Sequence, residues 1–232
     1  MEKIIVSDSK EHASYLQYLY RKISDQFSYL RPKCVCENAG ERVVFSFDAE
    51  RRYTPYIRKF AEEKIAEIIA IGYKYRHFKQ TLRLPILTEE QRDVLFCALV
   101  TADFSEDYSF IRKKLKNLKE YCIDGSYHFR LGEIKARWQK IAEYIPTNFS
   151  VDSLENFVEF MVEEGENKVF LKEDTLYDEG YRPLQRSRLL GESSLKREIL
   201  LSNANMIYVF GRIKNELGSF LKKYYKEKVV FC

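Results

Sequence analysis

The sequence predicts an α/β (or α+β) fold, with strand-helix-strand units at both ends and an all-helical middle. Runs rich in β-branched and aromatic residues (KIIV, RVVFSF, KVFL, MIYVF, KVVFC) fall before residue 52 or after residue 167. Apolar residues at helical spacing fill the interval. Glycine and proline number only 9 and 5 in 232 residues, which favours long regular elements with short connections. The expected organisation is 1–52 (strand, helix, strand), 53–166 (helical) and 167–232 (α/β), without a Pro- or Ser-rich linker and packed as one body.

The elements follow in order. KIIV reads as a strand, and Ser9 to Phe27 as a helix with Leu16, Leu19, Tyr20 and Ile23 on one stripe, ended by Pro32. After the turn-like ENAGE, RVVFSF alternates Val43, Phe45 and Phe47 toward one face. From Thr54 the period becomes helical, with Pro55 in the first turn and Ile57, Phe60, Ala61, Ile65, Ile68 and Ile69 along a wide stripe. Thr88 to Gln91 has the form of a capping box. Ser105 precedes a helix with Ile111, Leu115, Leu118 and Cys122 buried, ending at Asp124-Gly125.

The stretch YHFRLGEIKARW interleaves rings with cations, as a nucleic-acid clamp would. On a helical wheel, however, Leu131, Ile134, Trp138, Ile141 and Ile145 share one arc, so Trp138 points inward. Arg130 and Arg137 flank that arc with Glu133 in pairing range, which gives a packed helix with a salt-bridged border. Ser150 opens a helix whose outer face carries Asp152, Glu155, Glu159, Glu163, Glu164 and Glu166. Strands KVFL and TLY flank the turn-prone Lys172 to Asp174, and a helix follows near Ser194 to Leu201. MIYVF, a helix over GRIKNELGSFLKKYYKE and KVVFC then close the chain, the two strands parallel.

Composition narrows the function classes. A formal net charge of +4 is too mild to name a partner. No segment approaches the roughly 20 apolar residues of a membrane span, and MEKIIVSDSK is too short an apolar run for a signal peptide, so a cytoplasmic protein without a membrane partner is expected. Cys34, Cys36, Cys97, Cys122 and Cys232 are then expected to be thiols.

YIRKFAEEKIAEII, FIRKKLKNLKEY, IDGSYHFRLGEIKARW, LENFVEFMV and REILLSNANMIYVF followed by KVVFC, over about Tyr56 to Cys232, resemble in order and pattern the YtxC-like family of sporulation proteins of endospore-forming bacteria. The resemblance implies a cytoplasmic protein with a structural or regulatory role. It brings no established activity and no catalytic residues.

Three groups of residues invite a ligand. Arg112, Lys113, Lys116 and Lys119, with Lys114 among them, form a basic helix able to meet phosphates, and Arg182, Arg186 and Arg188 stand on a loop where arginines commonly bind. Gly211 and Arg212, at a strand-to-helix junction, could receive an anion. Cys34 and Cys36 with His12, His77 or His128 lack a second cysteine pair, so no metal is assigned. No nucleophile elbow and no histidine with a spaced acid partner occurs, so neither catalytic residues nor a cofactor are assigned. The resulting expectation is a non-enzymatic binding or scaffold component with a protein partner. The alternatives are nucleic-acid binding through 112–119 and 182–188, and a nucleotide or anion site at the C-terminal sheet edge.

Overall fold

The computed structural model describes residues 2–30, 33–116 and 118–232. Pro32, expected to end the first helix, lies outside the described residues. In chain order the elements are β1 (Glu2–Ser9), α1 (Ala13–Gln26), β2 (Lys33–Ala39), β3 (Arg42–Ala49), α2 (Thr54–Glu67), a π-helical segment (Ile68–Tyr73) and α3 (Lys74–Thr81). There follow α4 (Glu89–Ala102), α5 (Phe104–Leu115), β4 (Tyr121–Cys122), α6 (Ile123–Phe129), α7 (Gly132–Tyr144) and α8 (Val151–Glu163). Then come β5 (Asn167–Lys172), β6 (Thr175–Tyr177), α9 (Leu195–Leu201), β7 (Ala204–Phe210), α10 (Asn215–Tyr224) and β8 (Val229–Phe231). The class is α/β, with strands toward both ends and helices between. No helix among the described residues is long and apolar enough to cross a membrane.

The chain divides into two compact units, Met1–Lys74 with Phe104–Gln139, and Tyr75–Asp103 with Lys140–Cys232. In the first unit a four-stranded sheet has the order β2-β3-β1-β4, with β4 parallel to β1 and the other neighbours antiparallel. Ile4, Val6, Phe45 and Phe47 of the sheet are buried, as are Leu16, Leu19 and Ile23 of α1 and Ile57, Ala61 and Ile65 of α2. Apart from the smaller Ala61, each such side chain contributes about 1.5–3 kcal/mol through removal from water. Gly72, in the π-helical segment, is required by packing: a Cβ there would lie 2.7 Å from the Tyr15 ring.

Two expectations need correction in this unit. The sequence signals give no strand between Pro32 and the turn-like ENAGE, yet KCVCENA forms β2, paired with β3 around Gly40, whose φ of +60° suits the turn. As an edge strand with mostly exposed side chains it lacks the apolar signal of a buried strand. The helix expected to run to Asp124-Gly125 ends at Leu115 instead. Tyr121 and Cys122 pair beside Val6 and Ser7 of β1, and Asp124-Gly125 lies inside α6. Helical spacing was overridden by the gain from pairing at the sheet edge, while Arg58 donates to the Leu118 and Lys119 carbonyls at 3.0 and 3.5 Å.

The second unit holds a sheet of order β6-β5-β7-β8, in which β5, β7 and β8 are mutually parallel and β6 returns antiparallel to β5. The β5–β6 turn places Glu173 and Asp174 at φ of 48° and 59°, the left-handed pair that short hairpins use. Val169, Leu171, Ile207 and Val209 are buried on the face where α8 and α9 pack against β7. The side chains between them in sequence, Lys168, Phe170 and Lys172 on β5 and Met206, Tyr208 and Phe210 on β7, point to the other face and stay half-buried or exposed.

Helix starts follow their sequence signals. Thr88 Oγ1 accepts the Gln91 N–H at 3.2 Å while the Gln91 side chain accepts the Thr88 N–H at 2.9 Å. Ser150 and Ser194 accept from Ser153 and Arg197 at 3.1 and 3.5 Å. Each such cap is worth about 1 kcal/mol.

Candidate nucleic-acid interface

Of the basic residues singled out from sequence, Arg112, Lys114, Arg182 and Arg186 are engaged within the protein, whereas Lys113, Lys116, Lys119, Arg188 and Arg212 form no ion pair among the described residues. In the first unit Arg112 pairs with Glu63 at 2.9 Å and Lys114 with Glu133 at 3.2 Å. Lys113 is exposed on α5, whereas Lys116 and Lys119 lie beyond its end, so 112–119 is not one basic helix. Glu133, expected to pair along its own helix, instead reaches across to α5. Arg137 likewise turns to Asp107 at 2.9 Å.

In the second unit Arg182 pairs with Asp178 at 2.9 Å, and the Arg186 guanidinium donates to the Leu201 carbonyl at 3.0 Å. The carboxylate of buried Glu198 receives the Arg186 and Ser187 N–H groups at 2.7 and 2.8 Å, which fixes the loop from inside. Arg188 lines a groove of about 700 Å³ together with Lys214, and Lys214 itself pairs with Asp174 at 3.2 Å. Gly211 (φ +90°) and the exposed Arg212 occupy the turn after β7, but neither lines that groove.

Cys34 and Cys36 share one face of β2, opposite Phe47 and Phe45, and burial pushes the Cys34 thiol up. Among the described residues no group of three or more His, Cys, Asp or Glu is placed to hold a metal ion. Arg42 grips Asp124 with two hydrogen bonds of 2.6 and 2.9 Å. Burial alone would raise the Asp124 carboxyl, but Arg42, the Cys122 thiol and the Gly125 N–H outweigh it and hold it at about 2. The neighbouring Cys122 thiol is itself pushed up, first by burial and then by its bond to Asp124, which favours the thiol over the thiolate.

The surface that sequence reasoning missed is the open face of the second sheet. Phe170 and Tyr208 stand opposite each other on neighbouring strands, their ring centroids 5.4 Å apart and their planes 21° from parallel. On its other side Phe170 meets the Tyr181 ring at 5.1 Å and the same tilt, and Phe210 lies 6.5 Å from Phe170. The outer members are open to solvent, Tyr181 at 71% and Phe210 at 42%. Tyr181 holds its place with φ of +55°, a left-handed backbone unusual for an aromatic residue, fixed by the Asp178 turn. Lys168 and Lys172, each two residues from Phe170 on the same strand face, are exposed, and neither ammonium forms an ion pair among the described residues, although the Lys168 backbone N–H donates to Glu179 Oε1 at 3.2 Å.

The signal was present in the alternation Lys168, Phe170, Lys172 against Val169 and Leu171, and Met206, Tyr208, Phe210 against Ile207 and Val209. Strand signals such as KVFL and MIYVF do not by themselves show which face is covered, because an open face made of rings looks as apolar as a buried one. An array of rings beside unpaired lysines can stack bases and meet the phosphates between them. No family model, curated protein or solved structure matches the chain.

Proposed function

We propose that this chain is a binding protein for single-stranded nucleic acid and that the open face of the second sheet is where the strand lies. The observation that carries the reading is the row Tyr181, Phe170, Tyr208 and Phe210 flanked by Lys168 and Lys172. Bases offer π-faces to exposed rings whatever their identity, and each stacking contact is worth about 1–3 kcal/mol. Lysines spaced along one strand supply the sequence-independent attraction to phosphate. A duplex hides its base faces, so the surface favours an unpaired strand.

This merges the expectation of a binding component with the nucleic-acid alternative, moved from 112–119 and 182–188 to the sheet. The cytoplasmic, sporulation-associated setting is part of the same proposal and rests on the resemblance of residues Tyr56 to Cys232 to the YtxC-like family.

The test is fluorescence anisotropy of a labelled mixed-sequence 12-nucleotide single strand and the matching duplex with the intact chain. Tighter binding of the single strand supports the reading. Equal binding of both forms, or none at 50 mM salt, contradicts it.

A further inference from the structure

A second cavity in the same unit, of about 490 Å³, lies between α3, the connection to α4, α4 itself and Arg197 of α9. That volume falls within the range of roughly 300–1,000 Å³ typical of small-molecule sites. Its charge is lopsided. Lys79, Arg83, Arg92 and Arg197 line it, against Glu89 and Asp93.

Asp93 is already committed: one carboxylate oxygen accepts the Tyr75 hydroxyl and the other accepts Arg197 Nε at 2.8 Å. Burial, then the bond to Asp93, pushes the Tyr75 phenol well above its usual range, so it remains a donor. Of the remaining cations, Arg92 makes only a long 3.4 Å bond to the Leu84 carbonyl. Lys79 and Arg83 are exposed and have no acidic partner among the described residues. The wall between them is apolar, with Phe96 edge-on to Tyr75 at 5.8 Å and Leu82, Leu84 and Pro85 opposite.

From this combination we infer that the cavity is a site for a small phosphate monoester with a planar or apolar body. The body lies against the rings and leucines, and the dianionic phosphate meets Lys79, Arg83 and Arg92. A guanidinium fork matches two phosphate oxygens at once, and a dianion draws more from the three cations than a singly charged anion does. The site is separate from the sheet face, and neither depends on the other.

The experiment is isothermal titration of the intact chain with AMP, adenosine and inorganic phosphate. AMP is expected to bind at least roughly ten-fold more tightly than either fragment, since only it engages both the cations and the apolar wall. Lys79→Gln with Arg83→Gln, at two exposed positions that leave the fold intact, is expected to weaken AMP binding by about ten-fold or more. Tyr181→Ala with Phe210→Ala is expected to leave it unchanged, which separates this cavity from the sheet. The inference is overturned if adenosine binds as tightly as AMP, if the Lys79/Arg83 variant binds AMP normally, or if the Tyr181/Phe210 variant loses it.

Discussion

The Trp138 indole N–H donates to Asp107 Oδ2 at 2.7 Å, and the same oxygen lies 2.8 Å from Lys74 Nζ, all three side chains being buried. The Trp138 ring, which the helical wheel of YHFRLGEIKARW points inward, is buried as expected and tied into an ion network. Trp138→Ala should cost about 3–5 kcal/mol, the range for emptying a large core position. Trp138→Phe keeps most of the volume and should cost less, about 1–3 kcal/mol for the donor removed from a buried carboxylate. Urea denaturation checks both, and equal losses in the two variants would mean that the hydrogen bond dominates.

Asp124 supplies a pH dependence with a definite sign. Its folded carboxyl is held at about 2, below its ordinary 3.8, so the unfolded chain binds the proton more readily. The stabilisation from the Arg42–Asp124 pair is thus complete above the ordinary value and disappears as pH falls through about 2. Asp124→Asn should flatten the stability curve across that interval, measured by thermal melting from neutral to acidic pH. An unchanged slope would place the acid sensitivity elsewhere.

Legibility tracked how local the determining physics was. The caps at Thr88, Ser150 and Ser194, the Trp138 stripe and the parallel β7–β8 pair were readable because each depends on a few neighbouring residues or one hydrophobic period. β2, β4 and the early end of α5 were not, because they are decided by pairing with strands distant in sequence. The basic residues were legible as charges but not as partners: Arg112 is answered by Glu63, Arg182 by Asp178, and Arg186 by the Leu201 carbonyl. The aromatic face escaped because its rings count as core until the covered face of the sheet is known.

The acidic outer face of α8 is met within its own unit, by Lys223 at Glu155 (2.8 Å) and Lys226 at Glu159 (2.5 Å). All four side chains are substantially exposed, so each pair should be worth no more than about 1 kcal/mol and less in high salt. A double-mutant cycle with Lys223→Gln and Glu155→Gln at two ionic strengths measures this. A coupling that grows with salt would contradict it.

Tyr181 occupies a left-handed backbone conformation that glycine adopts freely, so Tyr181→Gly should leave stability unchanged or raise it by up to about 1 kcal/mol. It should also remove one stacking partner. Thermal melting and strand binding are expected to separate in this variant, with stability kept and affinity reduced. A variant that loses stability would show that the ring serves the fold.

The central claim is tested most directly by titrating the labelled 12-nucleotide single strand against wild-type chain and Tyr181→Ala/Phe210→Ala, two positions exposed enough to change without disturbing the core. The account predicts a loss of about 2–6 kcal/mol for two stacking contacts. In Lys168→Gln/Lys172→Gln the salt slope should shrink by about 1.4, two phosphate contacts on a single strand. Lys113→Gln/Lys116→Gln/Lys119→Gln, carried on the first unit, should bind as wild type does. Undiminished affinity in the Tyr181/Phe210 variant, together with a loss in the Lys113/Lys116/Lys119 variant, would contradict the account and return the nucleic acid to the 112–119 segment.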